Sequence, residues 1–254
     1  MFFSQLPLYS RILFIASTAL ECFLAVMLLR WDAWKRYPVM SVYLTWLAVG
    51  GAADLLIARF AAPMSYFFAY YVVTILVKLA AFAVAVELYY KIFDPRIGLF
   101  VWGRRQVVII ISVSLAVAIT LGLLFAARNG GSLTRTMTTV SEVMSVALWA
   151  TFCALWIYSR SLGFTWSPRV AGIAMGFILY LTVSVICIFI STRSSLSAAL
   201  IANQVDMAAE FLSMAWWLGV FWGEEKLPDE AISEEVEETV ARYRKTVEEA
   251  AQML

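Results

Sequence analysis

"YFFAYYVVTILVKLAAFAVAVELYY" (residues 66–90) decides how this chain is read. A helix needs roughly 20 apolar residues to cross about 30 Å of hydrocarbon. This run exceeds that and is interrupted only by Lys78 near its middle and Glu87 near its end. A soluble helix of such length would carry a polar face, whereas this one is apolar nearly all round. It is a predicted transmembrane helix, and the lysine at its centre is the anomaly to explain. The rest of the sequence has the same character, with 63% hydrophobic residues and a mean hydropathy of +0.82. Soluble domains hold far less apolar material. Similar runs lie near 9–29, 38–58, 106–127, 134–158, 169–192 and 198–222. The predicted fold is therefore all-α: a polytopic bundle of seven transmembrane helices over 1–222, followed by an acidic tail over 223–254. The first run is too long for the apolar core of a signal peptide and has no small-residue cleavage site behind it, so it reads as a retained helix.

Charge sets the expected orientation. Arg30, Lys35, Arg36, Lys91, Arg96, Arg104, Arg105, Arg160 and Arg169 fall in alternate loops, the first, third and fifth. Fewer bases flank the opposite side. Basic loops stay in the cytoplasm, which predicts an outside amino terminus and a cytoplasmic tail, in a bacterial inner membrane. Trp31, Trp34, Trp102, Trp156, Trp166 and Trp222 crowd the same basic boundary, where amphipathic rings prefer to sit.

There is no histidine in the chain. That excludes a histidine-ligated haem, the common histidine-containing zinc sites, a histidine phosphorelay and any Ser-His-Asp or Cys-His chemistry within it. Cys22, Cys153 and Cys187 all lie inside predicted spans and give no disulfide framework. No metal or cofactor is expected, and nothing suggests nucleic-acid binding.

The acids are in the wrong place for a simple membrane anchor. Outside the tail only Asp32 and Asp94 occupy loops, while Glu21, Asp54, Glu87, Glu142, Asp206 and Glu210 lie within spans. A charged side chain at the centre of a membrane helix costs about 2.5–3.5 kcal/mol on insertion scales. Such groups turn inward, find partners or hold a proton. Asn203, Asp206, Glu210, Ser213 and Trp217 share one helical face, as do Thr138, Glu142, Ser145 and Trp149, and Tyr71, Thr74 and Lys78. The predicted third, fifth and seventh helices thus turn three polar stripes toward each other, with Asp206 and Glu210 facing Lys78. Candidate ligand- or ion-binding residues are Lys78, Glu142, Asn203, Asp206, Glu210 and Glu21. Two readings stay open: a bonded knot that fixes helix order, or a pocket in which the acid excess binds a cation or relays protons. Glu87 sits near the inner boundary, within reach of Lys91. Tyr180, Thr182 and Ser184 are in a position to join the polar cluster, with ordinary packing the expected role. "GIAMG" (172–176) is a small-xxx-small pattern that permits close helix approach.

In the tail, "DEAISEEVEETVARYRKTVEEAAQML" (229–254) has helical periodicity, with Ile232, Val236, Val240, Tyr243, Val247 and Ala251 on one stripe. Its negative charge disfavours adhesion to an anionic leaflet. Val236, Val240, Tyr243 and Val247 are candidate contacts for a protein partner.

Seven helices invite comparison with microbial rhodopsins, whose retinal needs a lysine in the last helix; here that helix has none. A different likeness is carried by "KRYPVMSVYL" (35–44), "YFFAYYVVTILVKLAAFAVAVELYYKIF" (66–93) and "SLGFTWSPRVAGIAMGFILY" (161–180). These blocks resemble those of a set of uncharacterised seven-helix integral membrane proteins abundant in acidobacteria. The resemblance implies the seven-helix bundle, an acid at Glu87, one near Glu142 and an asparagine near Asn203; it implies no activity. The expected function is that of a non-enzymatic, receptor-like or scaffolding membrane subunit acting through its tail helix, alone or as an oligomer. The alternative is a proton- or cation-coupled transporter using the intramembrane carboxylates. Those acids lie too deep for chemistry on lipid headgroups.

Overall fold

The computed structural model describes residues 8–30, 33–60, 63–92, 133–161, 166–193 and 195–222, with scattered positions between 109 and 124. Seven helices are bounded within it: α1 (Leu8–Arg30), α2 (Ala33–Arg36), α3 (Pro38–Phe60), α4 (Pro63–Ile92), α5 (Leu133–Ser161), α6 (Pro168–Arg193) and α7 (Leu196–Trp222). Proline opens α3, α4 and α6, where its missing N–H costs nothing and its fixed φ suits the first turn. Ser167 caps α6 by accepting the N–H of Val170 at 3.3 Å.

Five helices are long and apolar enough to cross a bilayer, over Tyr9–Arg30, Pro38–Ile57, Met64–Ile92, Arg135–Arg160 and Pro168–Thr192. That makes the chain an all-helical membrane protein, with five of the seven expected runs meeting that length and apolarity among the described residues. The reason differs for the other two. Helix α7 has 27 residues, but Asn203, Gln204, Asp206 and Glu210 dilute its hydropathy. The run near 106–127 is only partly described; its described positions are helical. The tail helix expected over 229–254, with Val236, Val240, Tyr243 and Val247, lies outside the described residues.

The six long helices close a ring. Helix α1 packs on α3, α3 on α4, α4 on α5, α5 on α6 and α6 on α7, and α7 returns to α1. The ring has two unlike halves. Leu28, Leu44, Leu88, Phe152, Phe177 and Trp217, one from each helix, are fully buried. Because the helices run up and down, these positions all fall at the same end. Phe177 is the hub of that end: it stacks on Phe152 at 4.5 Å and meets Trp217 at 4.6 Å and Tyr43 at 5.3 Å between ring centroids. Aromatic pairs at such spacings add about 0.5–1.5 kcal/mol beyond their burial. The opposite half is looser, and α4 has no buried residue between Met64 and Ala80.

The "GIAMG" segment belongs to the tight half and explains how α7 seats on α6. The indole of Trp216 donates to the carbonyl of Gly172 at 2.9 Å, and that of Trp217 to Ile173 at 3.2 Å. A side chain at Gly172 would put its Cβ 2.5 Å from Val220, and one at Gly176 would meet the Trp217 indole. The glycines are spaces for α7. Basic and aromatic side chains pair at this same end, with Lys91 4.5 Å from the Tyr37 ring centroid and Arg160 5.3 Å from that of Trp156.

Glu87 also serves the fold. Its carboxylate accepts the N–H groups of Val39 at 3.1 Å and Met40 at 2.9 Å. Those are orphan donors of the first turn of α3, and an anion beside a helix N-terminus is favoured. Glu87→Ala is expected to lose about 1–3 kcal/mol of stability through the two unsatisfied donors, while Glu87→Gln, which keeps one acceptor, loses less. Chemical unfolding of both variants in mixed micelles checks the order.

Candidate functional site: an acid-rich cluster within the helix ring

Lys78 leaves the middle of α4 and crosses to α5, where its Nζ donates to the carbonyl of Ser141 at 2.7 Å and to its Oγ at 2.6 Å. It lies in the electrostatic field of Asp206 on α7 and Glu142 on α5. Ser184 of α6 lies beside the Asp206 carboxylate, whose buried Oδ1 has no hydrogen-bond partner. Glu210, one turn further along α7, interacts with Asp206 and with Glu21 of α1. Glu21 is 4% exposed, and its Oε2 sits so close to α3 that a Cβ at Gly51 would lie 2.8 Å away. Glycine at 51 is what admits this carboxylate. Asp54, on α3, interacts with Glu21; it too is buried, with an Oδ1 that has no partner.

Glu142, Lys78, Asp206, Glu210, Glu21 and Asp54, from α5, α4, α7, α1 and α3, thus lie near one another. The remaining long helix, α6, supplies Ser184 and Tyr180. Tyr43 of α3, Tyr70 of α4 and Tyr180 of α6 lie near Glu210. Among the described residues, Lys78 is the one ammonium within this group of five carboxylates. Burying one charged group uncompensated is costly, and one lysine cannot balance five acids.

These groups lie on the looser half of the ring, away from the Phe152–Phe177–Trp217 packing. Glu21 and Asp54 are buried, Lys78, Tyr180 and Glu210 are half-buried, and Tyr70 is exposed. The cluster is not fully bonded, since the buried Oδ1 atoms of Asp54 and Asp206 have no hydrogen-bond partner.

Of the residues singled out in the sequence, Lys78, Glu142, Asp206, Glu210 and Glu21 come together. Asn203 does not: it is exposed, with its amide 3.9 Å from the Met207 sulfur, because α7 turns this end of its stripe away from the ring centre. Asp206 lies near Lys78, and Glu210 lies near Asp206, Glu21 and the tyrosines. Tyr180 and Ser184 lie beside the cluster, while Thr182 is engaged by the Trp149 indole at 2.9 Å and bonds back to Ile178. Asp54, Tyr43 and Tyr70 were not among the candidates; the signal for Asp54 was its depth in an apolar run. Among the described residues no three Asp, Glu or Cys side chains lie close enough to hold a metal ion.

The fold and the cluster define the class as an all-helical membrane protein with acids gathered between its helices. No known family, curated protein or solved structure matches the chain.

Proposed function

We propose that the protein is a proton- or cation-coupled carrier that works through a water-accessible chamber among these acids. The observation that supports this reading is the gathering of five carboxylates near one lysine on the looser half of the ring, with buried Oδ1 atoms on Asp54 and Asp206 that have no partner. A bundle that needs polar contacts only to fix helix order gains about 0.6–2 kcal/mol from one or two of them. It has no use for unpartnered oxygens on Asp54 and Asp206. Ionisable groups that face a cavity within a membrane are the usual parts of proton and ion pathways. In this reading the run near 106–127 and α7 also cross the bilayer, giving seven spans. The basic, tightly packed end is cytoplasmic by the charge rule, so the chamber opens outward. The inner membrane of a bacterium is the proposed location.

The test is proton flux in proteoliposomes that hold a pH-sensitive dye. Wild type carries protons, and Asp206→Asn and Glu210→Gln each lower the flux at least about tenfold, an added barrier of about 1.4 kcal/mol. Wild-type flux in both variants overturns the reading. The tail supports a second role: its apolar stripe of Val236, Val240, Tyr243 and Val247 amid acidic residues suits a partner helix. Removal of 229–254 then releases co-purifying proteins without changing flux.

A further inference from the structure

Helices α6 and α7 meet closely through Gly172 and Gly176 at one end of the bundle. Toward the other end, where α6 leads into α7, a groove of about 380 Å³ lies between them. Its floor is small and buried, with Cys187 at 6% and Ala202 at 3% exposed. Its walls are aliphatic side chains that face out of the bundle, Ile186 and Ile190 on α6 and Ile201 and Val205 on α7. The lining is wholly apolar and follows each helix for about 10 Å. That volume over that length leaves a cross-section of about 40 Å², whereas a helix about 10–12 Å across needs about twice as much. The groove is therefore too narrow for a helix of a partner or of a second copy. It has the width and the chemistry of extended hydrocarbon chains.

The mouth of the groove has the opposite character. The α6 span ends at Thr192, so the turn into α7 lies at headgroup depth. Ser195 precedes α7, and its carbonyl accepts the N–H of Ala199 at 3.0 Å. Its hydroxyl is engaged with that of Ser197, also at 3.0 Å, rather than with the backbone N–H groups that a capping serine serves. The first donors of α7 are thus left without a side-chain cap among the described residues. They stand at the positive end of the helix dipole, and the first turn of α7 carries no acid. Arg193, the last residue of α6, adds a positive charge at the same boundary. Uncapped donors with a positive charge are what a phosphate asks of a helix start.

We propose that this groove is a binding site for an anionic glycerophospholipid, with an acyl chain between Ile186, Ile190, Ile201 and Val205 and the phosphate at the start of α7, where Arg193 ends α6. The net negative headgroup is favoured over a zwitterionic one, whose ammonium would meet the same positive boundary. The site faces the bilayer and is separate from the acid cluster.

Thermal unfolding of the full chain in detergent, titrated with dioleoylphosphatidylglycerol and separately with dioleoylphosphatidylcholine, tests it. Phosphatidylglycerol is expected to raise the Tm saturably, by several degrees at high occupancy, with a midpoint at least about fivefold below that of phosphatidylcholine. Arg193→Gln raises the phosphatidylglycerol midpoint about fivefold, the weight of one basic residue at a membrane surface, and leaves that of phosphatidylcholine in place. Ile186→Ala and Ile201→Ala cut down the walls at exposed positions that the fold tolerates, and each raises the midpoint at least about threefold through lost apolar contact. Leu212→Ala removes an equally exposed side chain of α7 outside the groove and leaves the midpoint unchanged. No saturable shift, equal midpoints for the two lipids, or a wild-type response in Arg193→Gln overturns the proposal. So does a Leu212→Ala midpoint that moves as far as those of Ile186→Ala and Ile201→Ala.

Discussion

Lys78→Met is expected to destabilise the bundle by about 3–5 kcal/mol, the cost of removing one partner from a buried ionic cluster. Methionine fills similar volume, so the loss is electrostatic rather than a cavity. Lys78 is held by two hydrogen bonds to Ser141 and stands between Asp206 and Glu142. Once the ammonium is gone, these acids lose their nearby cation, and the Ser141 carbonyl is left with the Ser145 hydroxyl as its side-chain donor. The double variant Lys78→Met, Asp206→Asn removes the uncompensated charge as well and should recover at least about 1 kcal/mol, the size of coupling found between groups in direct contact. Reversible unfolding in mixed micelles reads both. A Lys78→Met protein within about 0.5 kcal/mol of wild type would show that the lysine is not the cluster's counter-ion.

The second large effect comes from the other half of the ring. Gly176→Leu forces a side chain into the place of the Trp217 indole. Overpacking of this kind costs about 1–3 kcal/mol and occasionally more. Displacing Trp217 also breaks its hydrogen bond to Ile173, worth about 1 kcal/mol, and its packing on Phe177 and Tyr43. A total near 3 kcal/mol or above is expected, enough to lower expression of the folded protein. Gly219 on the neighbouring helix supplies the control. A Cβ there meets nothing within 4 Å, so Gly219→Ala should be neutral or stabilising by up to about 1 kcal/mol from helix propensity. Equal behaviour of the two variants would mean that α6 and α7 do not meet through Gly176.

The boundaries of five spans were legible because apolar length is a one-dimensional signal. Tyr9–Arg30, Pro38–Ile57, Met64–Ile92, Arg135–Arg160 and Pro168–Thr192 fall within a few residues of the expected runs. Helix α7 shows where that signal weakens, since the residues that make it interesting lower its hydropathy. The cluster around Lys78 was legible for a related reason: a charge in hydrocarbon must turn inward, and periodicity gave the shared faces of Lys78, Glu142, Asp206 and Glu210. Ring order was not legible. Nothing in one helix's periodicity says which helix lies across from it, so the approach of Glu21 to Glu210 and the roles of Asp54, Tyr43, Tyr70 and Tyr180 waited for the structure. A tyrosine within an apolar run reads equally well as packing. Glu87 resisted for another reason, because its partners are backbone N–H groups at the start of α3, far away in the chain and invisible in side-chain patterns. Asn203 was misplaced by extending a helical face one turn beyond where α7 leaves the ring centre.

The account stands on the chamber being open to water inside the helix ring, and cysteine accessibility measures that directly. In a background with Cys22, Cys153 and Cys187 replaced, Tyr70→Cys, Tyr180→Cys and Leu148→Cys are exposed in turn to a positively charged, membrane-impermeant methanethiosulfonate reagent. That reagent needs a thiolate in contact with water, so lipid-facing and tightly packed positions stay silent. The account predicts rapid modification at positions 70 and 180 and none at 148, which sits in the tight half. Protection at 70 and 180 equal to that at 148 would contradict it.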